Sequence, residues 1–311
     1  MTDLELRALL ACPTCRGSLR WQDTAGSCSA CDGRFAIVDG IPVLLPTGRV
    51  VADDHLHEEH AAEHKSTQAA YYDAHAAAEF EIGRPNTGPR LYEWLMREKF
   101  RRSLAGIDGA LARATALTVC GGSGMEAQFL AEAGYHVIAS DISLGAAQRC
   151  RERARRFGFP ILSIVADIDH LPFADRSISL VYVHDGLHHL EKPMAGLAEM
   201  ARVAAAAVSI TEPARAAVTA LAVRLGLALE YEAAGNRVER LDHRAVRAVL
   251  QDLGFGPVRA HRYAMYYRHQ PGRVVRLLSH PRVMPLATGA ARATNLIAGR
   301  WGNKLTVSAL R

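Results

Sequence analysis

The chain has 311 residues, 49% of them hydrophobic and 22% charged, with a formal net charge of +5. That length supports a sizeable core and roughly two domains, and the composition excludes a fibrous or low-complexity chain. No apolar run approaches the roughly 18 residues that span a bilayer, and the first residues, MTDLELRALL, lack a basic-then-apolar export signal, so a cytoplasmic protein with no membrane partner is expected.

Four of the six cysteines fall early, as Cys12-Pro-Thr-Cys15 and Cys28-Ser-Ala-Cys31, separated by twelve residues. Each pair can set two thiolates on one turn, and two such knuckles close a tetrahedral zinc site. Two disulfides or a redox pair are the alternative, disfavoured in the cytoplasm. Four protein ligands leave no open position, so the metal is expected to be structural and to supply much of the folding energy of so short a segment. With the following CSACDGRFAIVDGIPVLLP, residues 7–46 resemble the small zinc-binding domain of the Trm112-like family. That resemblance implies a domain that partners, or is fused to, methyltransferases.

Residues 46–50 read as a linker and 51–82 as a polar, mostly helical stretch. His55, His57, His60 and His64 invite a metal reading, and the last three share one helical face, but no arrangement of carboxylates or second site supports it and a solvated helix is expected. Tyr71, Tyr72, Asp73 and Phe80 suit either a lid over a neighbouring site or plain packing. Residues 83–89 break the chain, and 90–104 form a helix.

Residues 117–141, LTVCGGSGMEAQFLAEAGYHVIASD, read as strand, glycine turn, helix, strand and acid. Gly121, Gly122 and Gly124 permit a sharp turn and close approach of a ligand, and Asp141 at the next strand end can accept bonds from ribose hydroxyls. The α/β alternation continues: a helix capped by Ser143 and ending at Gly158, whose arginines 149, 151, 153, 155 and 156 read as a solvated face; a strand over 161–166 leading to Asp167; and a strand over 177–183 followed by His184-Asp185-Gly186-Leu187-His188-His189. A helix opened by Pro193, a strand over 207–211 ending at Glu212, helices near 214–229 and 242–253, and late strands over 258–265 and 305–310 complete a doubly wound, seven-stranded Rossmann-like α/β sheet. From Leu253 to Arg311 there are ten Lys or Arg and no Asp or Glu, so +5 in total against +10 here leaves −5 for the remainder. Such a segment suits an anionic partner, an acidic surface elsewhere in the fold, or a solvated face.

Four stretches in order, VCGGSG, ASDIS, ADIDHLPFAD and HDGLHHLEKP, resemble class I S-adenosylmethionine-dependent methyltransferases, particularly the branch of ubiquinone/menaquinone-type and small-molecule enzymes. The resemblance implies Cys120, Gly121, Gly122 and Gly124 beside the methionine part of the cofactor. It implies Asp141 on the ribose, Ile142 beside the adenine, Asp167 and Ile168 near the adenine amino edge, and His184 alongside. It implies a base at His188 or His189, with Asp185 and Glu212 orienting base or substrate. The family usually carries an acid before the loop and a glycine at its start, where this chain has Thr118 and Cys120. The expected organisation is a zinc ribbon over 1–48, a helical linker and lid over 49–106, and a methyltransferase domain over 107–311 with substrate-side insertions. The expected activity is O- or N-methylation of a small molecule. An RNA methyltransferase using the ribbon and basic tail, and a cofactor-binding protein without turnover, are the alternatives.

Overall fold

The computed structural model describes residues 3–46, 55–74, 78–107, 111, 113–224 and 238–311. The linker expected over 46–50 therefore lies outside them from residue 47 on, as does the expected helix near 214–229 beyond residue 224. Helix α1 (Asp3–Arg7) precedes the ribbon strands β1 (Leu19–Trp21), β2 (Ala25–Cys28), β3 (Arg34–Val38) and β4 (Ile41–Leu44), each antiparallel to the next. Helices α2 (His55–Asp73), α3 (Ala78–Gly83) and α4 (Arg90–Leu104) follow. The alternating part comprises β5 (Thr115–Val119), α5 (Met125–Glu132), β6 (His136–Asp141), α6 (Leu144–Phe157), β7 (Leu162–Ala166), β8 (Ile178–His184), α7 (Pro193–Val203) and β9 (Ala204–Pro213). The chain closes with α8 (Ala217–Arg224), α9 (His243–Asp252), β10 (Val258–Tyr263), α10 (Arg273–Leu278), α11 (Met284–Ala298) and β11 (Lys304–Leu310).

The expected seven strands are present in the order β7-β6-β5-β8-β9-β11-β10, with β11 antiparallel to both its neighbours. The central strands β7 and β8 read LSIVA and ISLVYVH because helices cover both faces of a parallel sheet, which removes the polar alternation of a half-exposed strand. Each fully buried Val or Ile there contributes about 1.5–3 kcal/mol. Ser143 caps α6 by accepting from the Ala146 N–H, and Gly158 ends it in the left-handed region.

Two features depart from expectation. The sheet does not stop at seven strands, because β4 pairs in parallel with β7 through Val43↔Val165 and Leu44↔Ala166, making eleven in all. Leu6, Leu10, Phe35 and Leu44 of the ribbon share one apolar cluster with Leu162, Leu171 and Phe173. The arginine run on α6 is a solvated face only in part: Arg151, Arg155 and Arg156 are exposed, as expected, whereas Arg149 and Arg153 are not. Arg153 is fully buried and donates to the backbone oxygens of Ser123, Glu81 and Arg84 and to Gln128 Oε1, while Arg149 reaches Ser123 Oγ and Tyr72 O. The reason is that α2 and α3 lie against α6 and need donors for their exposed carbonyls.

Candidate functional site

The parallel strands all end along one edge, and the chain leaves β5 there through left-handed backbone at Cys120 (φ +50°), Gly122 (φ +50°) and Gly124 (φ +79°). Glycine adopts this freely; at Cys120 the surroundings must hold it. The Cys120 side chain packs toward the next loop, where a Cβ at Gly186 would come within 2.6 Å of Cys120 Cβ. A Cβ at Gly122 would meet nothing within 4 Å, so open space lies over the turn. Gly121 donates its N–H to Ser140 O at 2.9 Å, tying the loop to β6.

Asp141 ends β6, with Oδ2 accepting the Gly122 N–H at 2.8 Å and Oδ1 the Ser143 N–H at 3.0 Å. Burial raises its carboxyl above the ordinary range, opposed by those two N–H groups. Each oxygen keeps room for a further donor. Half-buried Ile142 follows it. Thr118 Oγ1 is buried with no hydrogen-bond partner among the described residues, 3.6 Å from where a Gly121 Cβ would sit. An orphaned acceptor, an open turn and a buried carboxylate fit a ligand bearing an amine and vicinal hydroxyls.

Asp167 follows β7 and caps a single turn over Ile168–His170, of which Ile168 is buried. Its Oδ1 accepts the Asp169 N–H, and its Oδ2 lies 2.7 Å from Lys65 Nζ. Burial would raise this carboxyl, but His170 and Lys65 hold it down at about 2. Lys65 belongs to α2, so that helix crosses the strand ends. His64 Nε2 lies 2.9 Å from His189 O, the Tyr72 ring meets the His189 ring edge-on at 6.2 Å, and Asp73 Oδ1 accepts from Ser143 Oγ and the Gly145 N–H.

Beyond the glycine turn lies a second polar cluster. His188 donates Nδ1–H to Glu212 Oε2 at 2.7 Å, and Glu212 Oε1 accepts the Gly186 and Leu187 N–H groups at 2.8 Å each. Both side chains are buried. With Nδ1 protonated by this pairing, Nε2 carries the imidazole lone pair. His189 stacks on His188 with ring centroids 4.2 Å apart. Asp185 turns elsewhere: its carboxylate accepts from buried Lys99, from the Tyr267 hydroxyl at 2.7 Å and from Lys304 Nζ at 3.3 Å. Burial would raise Asp185, but the Lys304 and Lys99 ammoniums hold it well below the carboxylate range. Burial, reinforced by Lys304 and opposed by Asp185, lowers Lys99 to about 7. His184, buried at the end of β8, is pushed far below the usual imidazole range by burial and by Lys99. Ligand atoms of Asp185, His188 and Glu212 lie within 4.8 Å of one another, yet their lone pairs already receive two ammoniums, a phenol and three N–H groups. Hydrogen bonding accounts for that trio without a metal.

In the ribbon, the sulfurs of Cys12 and Cys31 are 3.7 Å apart, those of Cys15 and Cys28 3.4 Å, and those of Cys15 and Cys31 3.5 Å. Zinc bound tetrahedrally at about 2.3 Å separates its sulfurs by roughly 3.8 Å, so the set fits that ion. Ala30 N–H points at Cys28 Sγ at 3.3 Å, as a thiolate in a knuckle requires.

Residues 117–207 match the family described as a methyltransferase domain. The chain carries a methyltransferase domain. A demethylmenaquinone methyltransferase of Renibacterium salmoninarum is 35% identical over 105 residues, 34% of this chain and 43% of that one. The chain thus spans less than half the length of the curated relatives it matches. A magnesium protoporphyrin IX methyltransferase of Synechocystis, solved with SAH bound, has a TM-score of 0.53 and 17% identity over 79% of this chain and 99% of its own. A chain from the complex between the Haloferax volcanii Trm112 methyltransferase activator and its methyltransferase reaches a TM-score of 0.50 and 17% identity over 77% and 96% of the two chains. At these identities the two structures show a common fold, that of a class I methyltransferase domain. The matched domain contains the glycine turn, Asp141, Asp167, His184 and His188. Lys99, Glu212, Tyr267 and Lys304 lie outside it. Lys65, Lys99, Tyr267 and Lys304 were not singled out as site residues in the sequence, since no motif surrounds them and each meets its acid, Asp167 for Lys65 and Asp185 for the other three, only through the fold.

Proposed function

We propose that this protein transfers a methyl group from S-adenosylmethionine to a proton-bearing oxygen or nitrogen of a small molecule, with His188 as the base. The observation that carries the reading is the buried His188–Glu212 pair standing on the strand ends beside the glycine turn. Cys120, Gly121, Gly122 and Gly124 would lie along the methionine part, with Thr118 Oγ1 as an acceptor for its amine. Asp141 would hold the ribose hydroxyls, Ile142 and Ile168 would flank the adenine, and Asp167 would meet its amino edge once Lys65 yields. When bound, S-adenosylmethionine supplies an electrophilic methyl on a sulfonium, a displacement that needs mainly alignment.

The chain's own part is proton handling and positioning. His188 Nε2 accepts the proton of the acceptor as the bond forms, and Glu212 fixes the tautomer and stabilises the imidazolium. His189 stacks on His188 and, through its backbone oxygen and ring, meets the covering helix α2. Asp185 does not act as a base: Lys99, Tyr267 and Lys304 keep it ionised, and it sets the positions of these three donors. Lys304, Lys99 and the Tyr267 hydroxyl meet on this wall, and these N–H and O–H donors suit an acceptor that carries an acidic hydroxyl or another anionic group. The organisation proposed is a ribbon over 1–48 holding structural zinc on Cys12, Cys15, Cys28 and Cys31, a covering region over 49–106, and the methyltransferase domain over 107–311.

The test is calorimetric titration with S-adenosylmethionine, followed by transfer of labelled methyl to a panel of phenolic, carboxylic and amine acceptors. Binding with turnover of at least one small acceptor is expected. Binding with no turnover over the panel would favour a cofactor-holding protein, and transfer to RNA alone would overturn the choice of acceptor.

A further inference from the structure

Helices α10 and α11, inserted between β10 and β11, carry an apolar surface that nothing covers among the described residues. No residue of either helix is buried. Helix α11 reads MPLATGAARATNLIA, with Arg292 its single charge. Its half-buried row is Ala287, Ala291, Asn295 and Ala298, and Asn295 anchors it by donating Nδ2–H to Ala264 O and accepting the Ala264 N–H, at 2.9 and 2.8 Å. A flanking row, Leu286, Ala290, Ala293 and Ile297, faces solvent at helical intervals. Leu286 is 75% exposed, Leu296 88% and Ile297 78%; on α10, Val274 and Leu277 are each 69% exposed. A helix apolar on every side normally lies in a core, and an uncovered apolar row marks a surface that meets a partner.

Charge identifies the partner. The exposed arginines 268, 273, 276, 282, 292 and 300 accompany these helices, and no acid occurs from Leu253 to the end. Trp301, 55% exposed, sits just past α11 with the Arg300 guanidinium 4.0 Å from its ring centroid. Leucine and isoleucine on one face, arginines at the margin and an interfacial tryptophan match a helix lying in the headgroup region of an anionic bilayer. A second copy of the chain would set like charge against like. Nucleic acid would use the arginines but leave the aliphatic row wet.

We propose that the α10–α11 insertion docks peripherally on an anionic lipid surface, with Leu286, Leu296 and Ile297 entering the headgroup–acyl boundary and the arginines meeting phosphates. The sequence-based expectation of no membrane partner rested on the lack of a spanning segment. No helix among the described residues is long and apolar enough to cross a membrane, and an interfacial helix need not be. The segment entering α10 also carries Tyr267, bonded to Asp185 in the polar cluster. The docked surface therefore continues directly into the wall of the candidate acceptor site.

The 311-residue chain is sedimented with vesicles of phosphatidylcholine alone or with added phosphatidylglycerol. Binding is expected to the anionic vesicles, to weaken with salt, and to fall by about tenfold or more in the Leu286→Glu/Ile297→Glu variant. Both positions are exposed, so the variant's unfolding midpoint and its titration with S-adenosylmethionine should match the parent and control for folding. Arg273→Ala/Arg276→Ala should lose the preference for anionic lipid. Absent vesicle binding, or equal binding by parent and L286E/I297E, overturns the proposal. A dimer in analytical ultracentrifugation that L286E/I297E dissolves would assign the face to a second copy instead. Capture of RNA in place of vesicles would assign the arginines to nucleic acid, and either result overturns it.

Discussion

Asp141 is one carboxylate with two backbone donors already in place and one lone pair on each oxygen left for a ligand. Charge-assisted bonds of this kind contribute about 1.5–3 kcal/mol each. Asp141→Ala should therefore weaken S-adenosylmethionine binding at least about 100-fold in calorimetry, and an unchanged affinity would sink the nucleoside assignment. His188→Ala should leave cofactor affinity intact and lower methyl transfer by about 10²–10⁴-fold, the usual weight of a positioned base. Glu212→Gln tests the pair differently. Its carbonyl can still accept from Gly186 and Leu187, but its amide then opposes the Nδ1–H of His188, forcing the other tautomer and a proton onto Nε2. Transfer should fall with little change in stability. The glycine turn, Asp141 and the histidine pair were readable because strand, turn and acid are neighbours in sequence. Lys99, Tyr267 and Lys304 were not, since they come from α4, the segment after β10 and the start of β11.

Elements reveal their roles through what they are tied to. Helix α6 looks polar, but Arg153 joins it to the glycine turn at Ser123 and to the segment around α3 at Glu81 and Arg84. Arg153→Met would leave those carbonyls buried and unpaired and should cost about 3 kcal/mol or more in urea unfolding. A helical wheel could not have foretold this, because the side chain's burial depends on where α2 and α3 come to rest. Helix α2 in turn is held by Lys65 on Asp167 and Asp169. The folded Asp167 carboxyl, held down against its burial by His170 first and by Lys65 next, stands at about 2 against an ordinary 3.8. Its stabilising effect is complete above pH 3.8 and fades as pH falls toward 2, about 2 kcal/mol in all. Denaturant unfolding of the parent and Asp167→Asn, without cofactor, should differ above that window and converge below it; parallel pH curves would refute the pairing of Asp167 with His170 and Lys65 together.

At the scale of the molecule, the seven-stranded doubly wound sheet followed from the α/β alternation, whereas its extension to eleven strands did not. The apolar run Ile41–Leu44 fits a strand that closes a ribbon just as well as one that joins a second sheet, and only the pairing with Val165 and Ala166 decides between them. Because ribbon and sheet share one apolar cluster, zinc is expected to support both. Cys28→Ser/Cys31→Ser should bring the metal content from about one zinc per chain to near none and lower the unfolding midpoint of the whole protein in one transition. An unaltered zinc content would refute the metal assignment, and a separate early transition with the main one unmoved would refute the shared core.

The pairing of β4 with β7 also has a bearing on solubility. Every residue of β7 is buried, so without its ribbon neighbour the strand would offer a bare row of N–H and C=O groups flanked by aliphatic side chains. Such a margin is a template for another chain. Protein stripped of zinc should consequently gather into strand-paired aggregates at temperatures where it is still mostly folded, and the cysteine knuckles would then serve as a metal-dependent guard against self-association.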